Sequence, residues 1–379
     1  MRKIAVLIIL IFSVVVIHAQ QKNVQSAYRY LGKGKLDKAK EYIDMAVENE
    51  STMTDAKAWK YRGMIYYDIF ITKDEEFKGL DDKSLDKSYE SFKNAMKLDK
   101  KDKYKNDIIL NLSSVATAFY QRAYENYQKE EYIPAGDDFF TSYQINNEIG
   151  ANDTITLYYS AMSYFKGKDM KTAKNHYLTL AEMQFEEPEI YTNMAKISLV
   201  EGDTLAAIDY NKTGRELYPD DLGLIFSETN IYMALGENDK SLELLNLAID
   251  GDPSNKSLYF AAGTIYEKTL MYDQAKKYYE KAINVDPDYF EANYNLGALY
   301  FNKAVELLGQ ADALNLNEEE KYNALKDESE ALMQKAVPYL EKADSLESSD
   351  KITLQTLKEI YTRLNMLEKL KGVNERLAE

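Results

Sequence analysis

Few side chains in this 379-residue chain could do covalent or metal chemistry. There is no cysteine and there are two histidines, His18 and His176, which excludes thiol nucleophiles, disulfide frameworks, haem attachment and cysteine-rich zinc sites together. His176 sits between Ala173 and Tyr177 with no motif carboxylate beside it; such a histidine makes neither a metal site nor a catalytic triad. Gly32-Lys33-Gly34-Lys35 has the residue types of a phosphate loop without its full spacing or a preceding strand. Asp250-Gly251-Asp252 lacks the sixth-position glycine and twelfth-position glutamate of a calcium loop and reads as a helix-ending turn. The doublets Asp81-Asp82, Asp137-Asp138 and Asp220-Asp221 and the run Glu318-Glu319-Glu320 read as solvated turns and helix N-termini, where carboxylates meet the positive end of the helix dipole. No motif places two carboxylates for glycoside hydrolysis. The expectation is a non-enzyme with no metal and no cofactor.

Asp153-Thr154-Ile155, Asp203-Thr204-Leu205 and Asp344-Ser345-Leu346 resemble the Asp-Ser/Thr-apolar tripeptides that some Gram-negative bacteria O-glycosylate on exported proteins. With 47 basic and 63 acidic residues the net charge is -16, which repels phosphate backbones and anionic lipid, so no nucleic-acid partner is expected. Apolar residues make up 45% of the chain, enough for a sizeable core, and 32 tyrosines stand out and require a structural reason.

The N-terminus reads as an address. Met1-Arg2-Lys3 is a short positive region, Ile4 to Ile17 is an apolar stretch of 14 residues, and Ala19 before Gln20-Gln21 offers a cleavage point. That is the layout of a secretory signal peptide over residues 1–19, although Ile17 rather than a small residue sits three before the cut. The stretch is shorter than the roughly 20 residues of a spanning helix. No cysteine follows it to carry a lipid. Removing Arg2 and Lys3 takes the charge from -16 to -18. The expected mature chain is soluble, without a membrane span, in a bacterial periplasm, with secretion or peripheral association with an outer membrane as the alternative.

The elements that must position any site follow a 34-residue step. Pro219, Pro253 and Pro287 keep it, as do Tyr232, Tyr266 and Tyr300, with Tyr164 two steps earlier; Gly263 and Gly297, and Gly202 and Gly236, keep it too. Within one step, Tyr259, Ala262, Gly263 and Tyr266 recur at helical spacing, Met271-Tyr272-Asp273 breaks the pattern, and Ala275, Tyr279 and Ala282 begin a second stripe. Two amphipathic helices joined by a tight turn are predicted. Small residues permit close approach and Asp286-Pro287 stops the second helix. A hairpin of this kind buries its remaining apolar face only by stacking on the next copy.

These residues resemble the tetratricopeptide repeat, whose pattern runs Trp, Leu-Gly and Tyr on a first helix, then Ala, Phe and Ala on a second, then Pro. Five units begin at Thr154, Pro188, Leu222, Lys256 and Phe290. The resemblance implies an all-α, right-handed superhelical solenoid of helix-turn-helix repeats, with one quasi-linear array in place of conventional domains. Its expected segments are 20–53; 54–103, with extra residues around Lys73 to Lys83; 104–153, divergent with a long first helix; 154–187; 188–221; 222–255; 256–289; 290–349; and capping helices at 350–379. In the unit at Phe290 the second-helix residues Ala336, Leu340 and Ala343 arrive 27 positions late, so Glu306 to Gln334 reads as a helical insertion that lengthens the hairpin.

The resemblance also implies a concave groove lined by the second, fifth, ninth and twelfth positions of each first helix. Carried over, these include Tyr158, Met162 and Phe165; Thr192 and Lys196; Phe226, Asn230 and Met233; Phe260, Thr264 and Glu267; and Tyr294, Ala298 and Phe301. No fifth position is a lysine, so the lysine-and-asparagine clamp with which some members hold an acidic chaperone tail is missing. The expected function is a scaffold of the bacterial cell envelope that binds a peptide or helix of another envelope protein. Capture of a glycan or peptide by groove tyrosines is the alternative.

Overall fold

A computed structural model describes residues 22–315 and 317–378. The expected signal segment lies outside the described residues. Among these are eighteen helices and no strand: α1 (22–31), α2 (Leu36–Glu48), α3 (Ala56–Ile71), α4 (Ser84–Leu98), α5 (Lys105–Gln128), α6 (Tyr132–Glu148), α7 (Thr154–Lys166), α8 (Met170–Glu182), α9 (Glu189–Val200), α10 (Thr204–Leu217), α11 (Leu222–Ala234), α12 (Asn238–Gly251), α13 (Lys256–Lys268), α14 (Tyr272–Val285), α15 (Phe290–Asp312), α16 (Glu319–Leu346), α17 (Lys351–Arg363) and α18 (Leu367–Ala378). They gather into two compact units, one ending at Ile190 and one starting at Tyr191. Each is an all-α stack of helix hairpins, the solenoid class that the period predicts.

The acidic composition is partly spent on starting helices. The side chains of Asp55, Asp153, Asp169, Asp203, Asp221 and Asp350 accept backbone N–H bonds at the N-caps of α3, α7, α8, α10, α11 and α17. Each satisfies a donor that the first turn leaves unpaired and places a negative charge at the positive end of the dipole. The hairpin turns obey the 34-residue step in backbone angle: Lys168, Gly202, Gly236 and Leu270 all have positive φ, from 61° to 81°. At each, a later N–H returns to the end of the first helix, as Asp203 N to Ser198 O and Glu237 N to Tyr232 O do at 2.8 Å.

Packing runs between successive helices, so the core is a chain of layers. In the first unit Leu36, Ile43, Ile65 and Tyr66 join α2 to α3, and Phe92, Ile108, Phe119 and Ile145 join α4 to α5 and α6. In the second, Ile225, Leu245 and Leu258 join α11 to α12 and α13, and Ala304, Met333, Leu340 and Leu357 join α15 to α16 and α17. Gly263 lets α14 approach closely: a Cβ there would stand 2.6 Å from the Tyr279 ring. Buried serines close other contacts, with the hydroxyls of Ser88, Ser142, Ser160 and Ser329 donating to the carbonyls of Gly63, Ala116, Gly136 and Ala304 at 2.8–2.9 Å.

The two insertions differ in form. Residues 72–83 connect α3 to α4 and bury Phe77 in the first core cluster. α15 and α16 are 23 and 28 residues long, and Ala336, Leu340 and Ala343 are fully buried. Asp137 and Asp138 depart from the solvated turn expected of them. Both lie inside α6, where Asp138 is buried and takes a bidentate pair from Arg122 (2.7 and 2.6 Å) and Asp137 accepts from the Tyr164 hydroxyl. A carboxylate is buried, as Asp138 is, at tolerable cost only when so paired; Asp137 stays exposed on the helix surface.

Candidate functional site

The expected groove residues fall on α7 in the first unit and on α9, α11, α13 and α15 in the second; Thr192 on α9 is buried and Lys196 exposed. On α7, Tyr158 is half-buried. Its hydroxyl donates to Glu189 at 2.8 Å and its ring centroid lies 5.5 Å from that of Phe185. Burial first, and then the Glu189 carboxylate, raise the Tyr158 pKa above the ordinary phenol value. Met162 and Phe165 are half-buried on the same helix.

In the second unit the positions line up on neighbouring first helices. Phe226 and Met233 pack against the cluster of Ile225, Leu245, Leu258 and Ala262, which brings α11 against α13. Asn230, between them on α11, is exposed. Phe260 lies 5.8 Å from Tyr279 and 5.5 Å from Tyr289, centroid to centroid, and Thr264 donates its hydroxyl to Phe260 O at 3.0 Å. Tyr294 stacks on Phe290 at 6.1 Å and, like Phe301, packs on the cluster of Met333, Leu340 and Leu357.

These aromatics therefore have two roles at once. Each turns part of its surface to the helix beside it and leaves part uncovered. Phe226, Asn230 and Met233 lie on α11, Phe260 and Thr264 on α13, and Tyr294 and Phe301 on α15. Tyr158, Met162 and Phe165 belong to the other unit.

One arrangement of chemical interest has no motif in the sequence. Ser160 Oγ and His176 Nδ1 are 3.2 Å apart. A serine and histidine so placed are two thirds of a nucleophilic triad, but here Ser160 is fully buried and donates to Gly136 O, and the Asp169 carboxylate caps α8 through Thr172. The imidazole stacks on Phe140 at 4.5 Å, and burial lowers its pKa to about 4. The pair fills a core. Among the described residues no group of three or more histidine, aspartate and glutamate side chains is placed to hold a metal ion, and no helix is long and apolar enough to cross a membrane.

Sequence reasoning missed what the tyrosine hydroxyls do. Tyr66, Tyr89, Tyr279 and Tyr361 donate to Asp44, Glu148, Glu267 and Glu341 at 2.5–3.0 Å. The partners lie 12 to 59 residues away. The signal was compositional: an excess of phenols in an acidic chain.

Residues 271–317, from the α13–α14 turn into the α15–α16 connection, match the family described as TPR repeat. No curated protein matches the chain. Similar solved structures include MamA protein, at 17% identity over 50% of this chain and 88% of that one with a TM-score of 0.37. YrrB, described as a TPR protein with an unusual peptide-binding site, gives 18% identity, 54% and 96% coverage and 0.36. TTC0263, a thermophilic TPR protein of Thermus thermophilus, gives 18%, 48% and 98%, and 0.35. The chain thus carries tetratricopeptide repeats, matched over residues 271–317.

Proposed function

We propose that this chain is a non-catalytic protein-interaction scaffold of the bacterial cell envelope, and that it holds a peptide or helix of another envelope protein on the first-helix face of its second unit. The observation that carries the reading is that Phe226, Met233, Phe260, Tyr294 and Phe301, at groove positions of the first helices α11, α13 and α15, are half-buried, with Asn230 exposed on α11. Fixed aromatic anchors of this kind lose little side-chain entropy on binding, which is why they dominate the energetics of protein interfaces. The envelope address rests on the Arg2-Lys3 and Ile4-to-Ile17 pattern of the sequence. Glycan capture by groove tyrosines is less well supported, because Phe185 covers part of Tyr158 and Phe290 stacks on Tyr294.

The test is a change that alters the first-helix face without emptying the core. Asn230→Arg and Thr264→Arg add bulk and charge where the native side chains are exposed and half-buried. Purified from the native cell, each folded variant is expected to lose partners that the unaltered chain retains. An unchanged set of partners for both variants contradicts the groove reading.

A further inference from the structure

In the second unit, one layer of the stack carries polar side chains at two shared places that are apolar or aromatic in its neighbours. At the 34-residue step, Tyr177, Asn211, Leu245 and Tyr279 share one place on successive second helices, and all four are fully buried. On the first helices the shared place holds Tyr164, Ser198, Tyr232, Tyr266 and Tyr300, and Ser198 too is fully buried. The hairpin of α9 and α10 therefore carries a serine and an asparagine where the neighbouring repeats carry tyrosine or leucine. α9 still buries Ile190, Tyr191, Met194 and Ile197, whereas the buried apolar side chains of α10 are Ala207 and Ile208.

Hydrogen bonding does not make up the loss. Both amide atoms of Asn211, the Ser198 hydroxyl and the Thr229 hydroxyl on α11 are buried without a hydrogen-bond partner among the described residues. The contrast with the rest of the fold is direct. Ser88, Ser142, Ser160 and Ser329, equally buried, each donate to a carbonyl of a neighbouring helix. In the same layer, buried Glu228 is matched by Arg215 at 2.6 Å.

Two physical consequences follow. Space lined by unmatched donors and acceptors is the kind that internal water enters, whereas an apolar void stays dry. In a linear stack each layer is held mainly by its neighbours, so a helix with few buried apolar side chains opens locally at lower free energy than one with more. We propose that the layer formed by α9, α10 and α11 is a hydrated seam, in which water serves Asn211, Ser198 and Thr229, and that α10 is where the second unit opens first under native conditions. The seam is separate from the groove aromatics, and its test does not depend on any partner.

Native-state hydrogen exchange on the full chain, read by mass spectrometry, tests this. Amides of α10 are expected to exchange on the order of tenfold faster than those of α14, whose shared place holds Tyr279. Asn211→Leu, which installs the residue found at 245, is expected to slow exchange in α10 several-fold and leave α14 unchanged. Ser198→Ala removes a hydroxyl that bonds no other protein group and is expected to leave exchange in α10 the same or slower, while Ser329→Ala, which breaks the bond to Ala304 O, speeds exchange in α15 and α16. Equal protection of α10 and α14 would overturn the proposal. So would faster exchange in α10 of Ser198→Ala, or of Asn211→Ala, which removes the amide without adding bulk, since either shows that a group bonded within the protein had been removed.

Discussion

The hydroxyl of Tyr279 on α14 donates to Oε2 of Glu267 on α13 at 2.5 Å, while its ring lies over Gly263, one turn earlier on α13. A single side chain thus uses its apolar body to bring two helices together and its polar tip to satisfy a carboxylate between them. The same pairing recurs at Tyr66 and Asp44, Tyr361 and Glu341, and Tyr164 and Asp137. The excess of tyrosine and the excess of acid thus share a structural cause. Removing the tip alone, as Tyr279→Phe, is expected to cost about 1–2 kcal/mol, the loss of one hydrogen bond to a charged group. Gly263→Ala forces a methyl to within 2.6 Å of the ring and is expected to cost about 1–3 kcal/mol. Urea denaturation of the two variants checks both.

Alkali should release these pairs. Burial first, then the neighbouring carboxylate, pushes the Tyr66, Tyr164, Tyr279 and Tyr361 hydroxyls above their ordinary value of 10.0. A group whose folded pKa is raised stabilises the fold below its unfolded pKa, and that stability is lost as pH climbs, because only the unfolded chain gives up the proton. Stability is therefore expected to fall above pH 10. In a spectrophotometric phenol titration, a fraction of the tyrosines should ionise only as helical circular dichroism is lost. Complete ionisation of a fully helical chain would contradict this.

The acid side has a different origin. His176 is buried neutral, its pKa lowered from 6.5 to about 4 by desolvation. Between those values the unfolded chain binds a proton that the folded chain does not, so stability declines as pH falls from 6.5 toward 4. His176→Phe keeps the stack on Phe140 and leaves Ser160 its bond to Gly136 O. Its stability is expected to vary less than that of the unaltered chain across that window, as measured by thermal denaturation at a series of pH values.

Leu270, like Lys168, is a strained member of the hairpin-turn series. It has φ +61° at the place where Gly202 and Gly236 have +81° and +77°, and its side chain is 70% exposed, so little packing compensates. Leu270→Gly is expected to stabilise the chain by about 1 kcal/mol, and Gly236→Leu to destabilise it by about 1–2 kcal/mol. Melting temperatures of the pair should move in opposite directions.

The sequence was legible where a feature repeats in register. The 34-residue step placed the helices from Thr154 to Val285, the close approach at Gly263 and the late second helix at Ala336. It was less legible where a side chain's partner lies on another helix: nothing near Asp138 in sequence announces Arg122, and nothing near Tyr66 announces Asp44. The groove positions fall between these cases. Periodicity assigns Phe226, Phe260 and Tyr294 to one face, but how each ring divides between the groove and the adjacent helix depends on what the next repeat presents, and only the folded packing gives that. The polar seam was visible in outline as a gap, Ser198, in the series of tyrosines from Tyr164 to Tyr300.

Site-specific photo-crosslinking in the native cell tests the central claim most directly. A photoreactive amino acid placed at Asn230, exposed on α11, is compared with one at Leu247, 65% exposed on α12. The scaffold reading predicts covalent capture of another envelope protein from position 230 and none from position 247. No capture from 230, or equal capture from both positions, would contradict it.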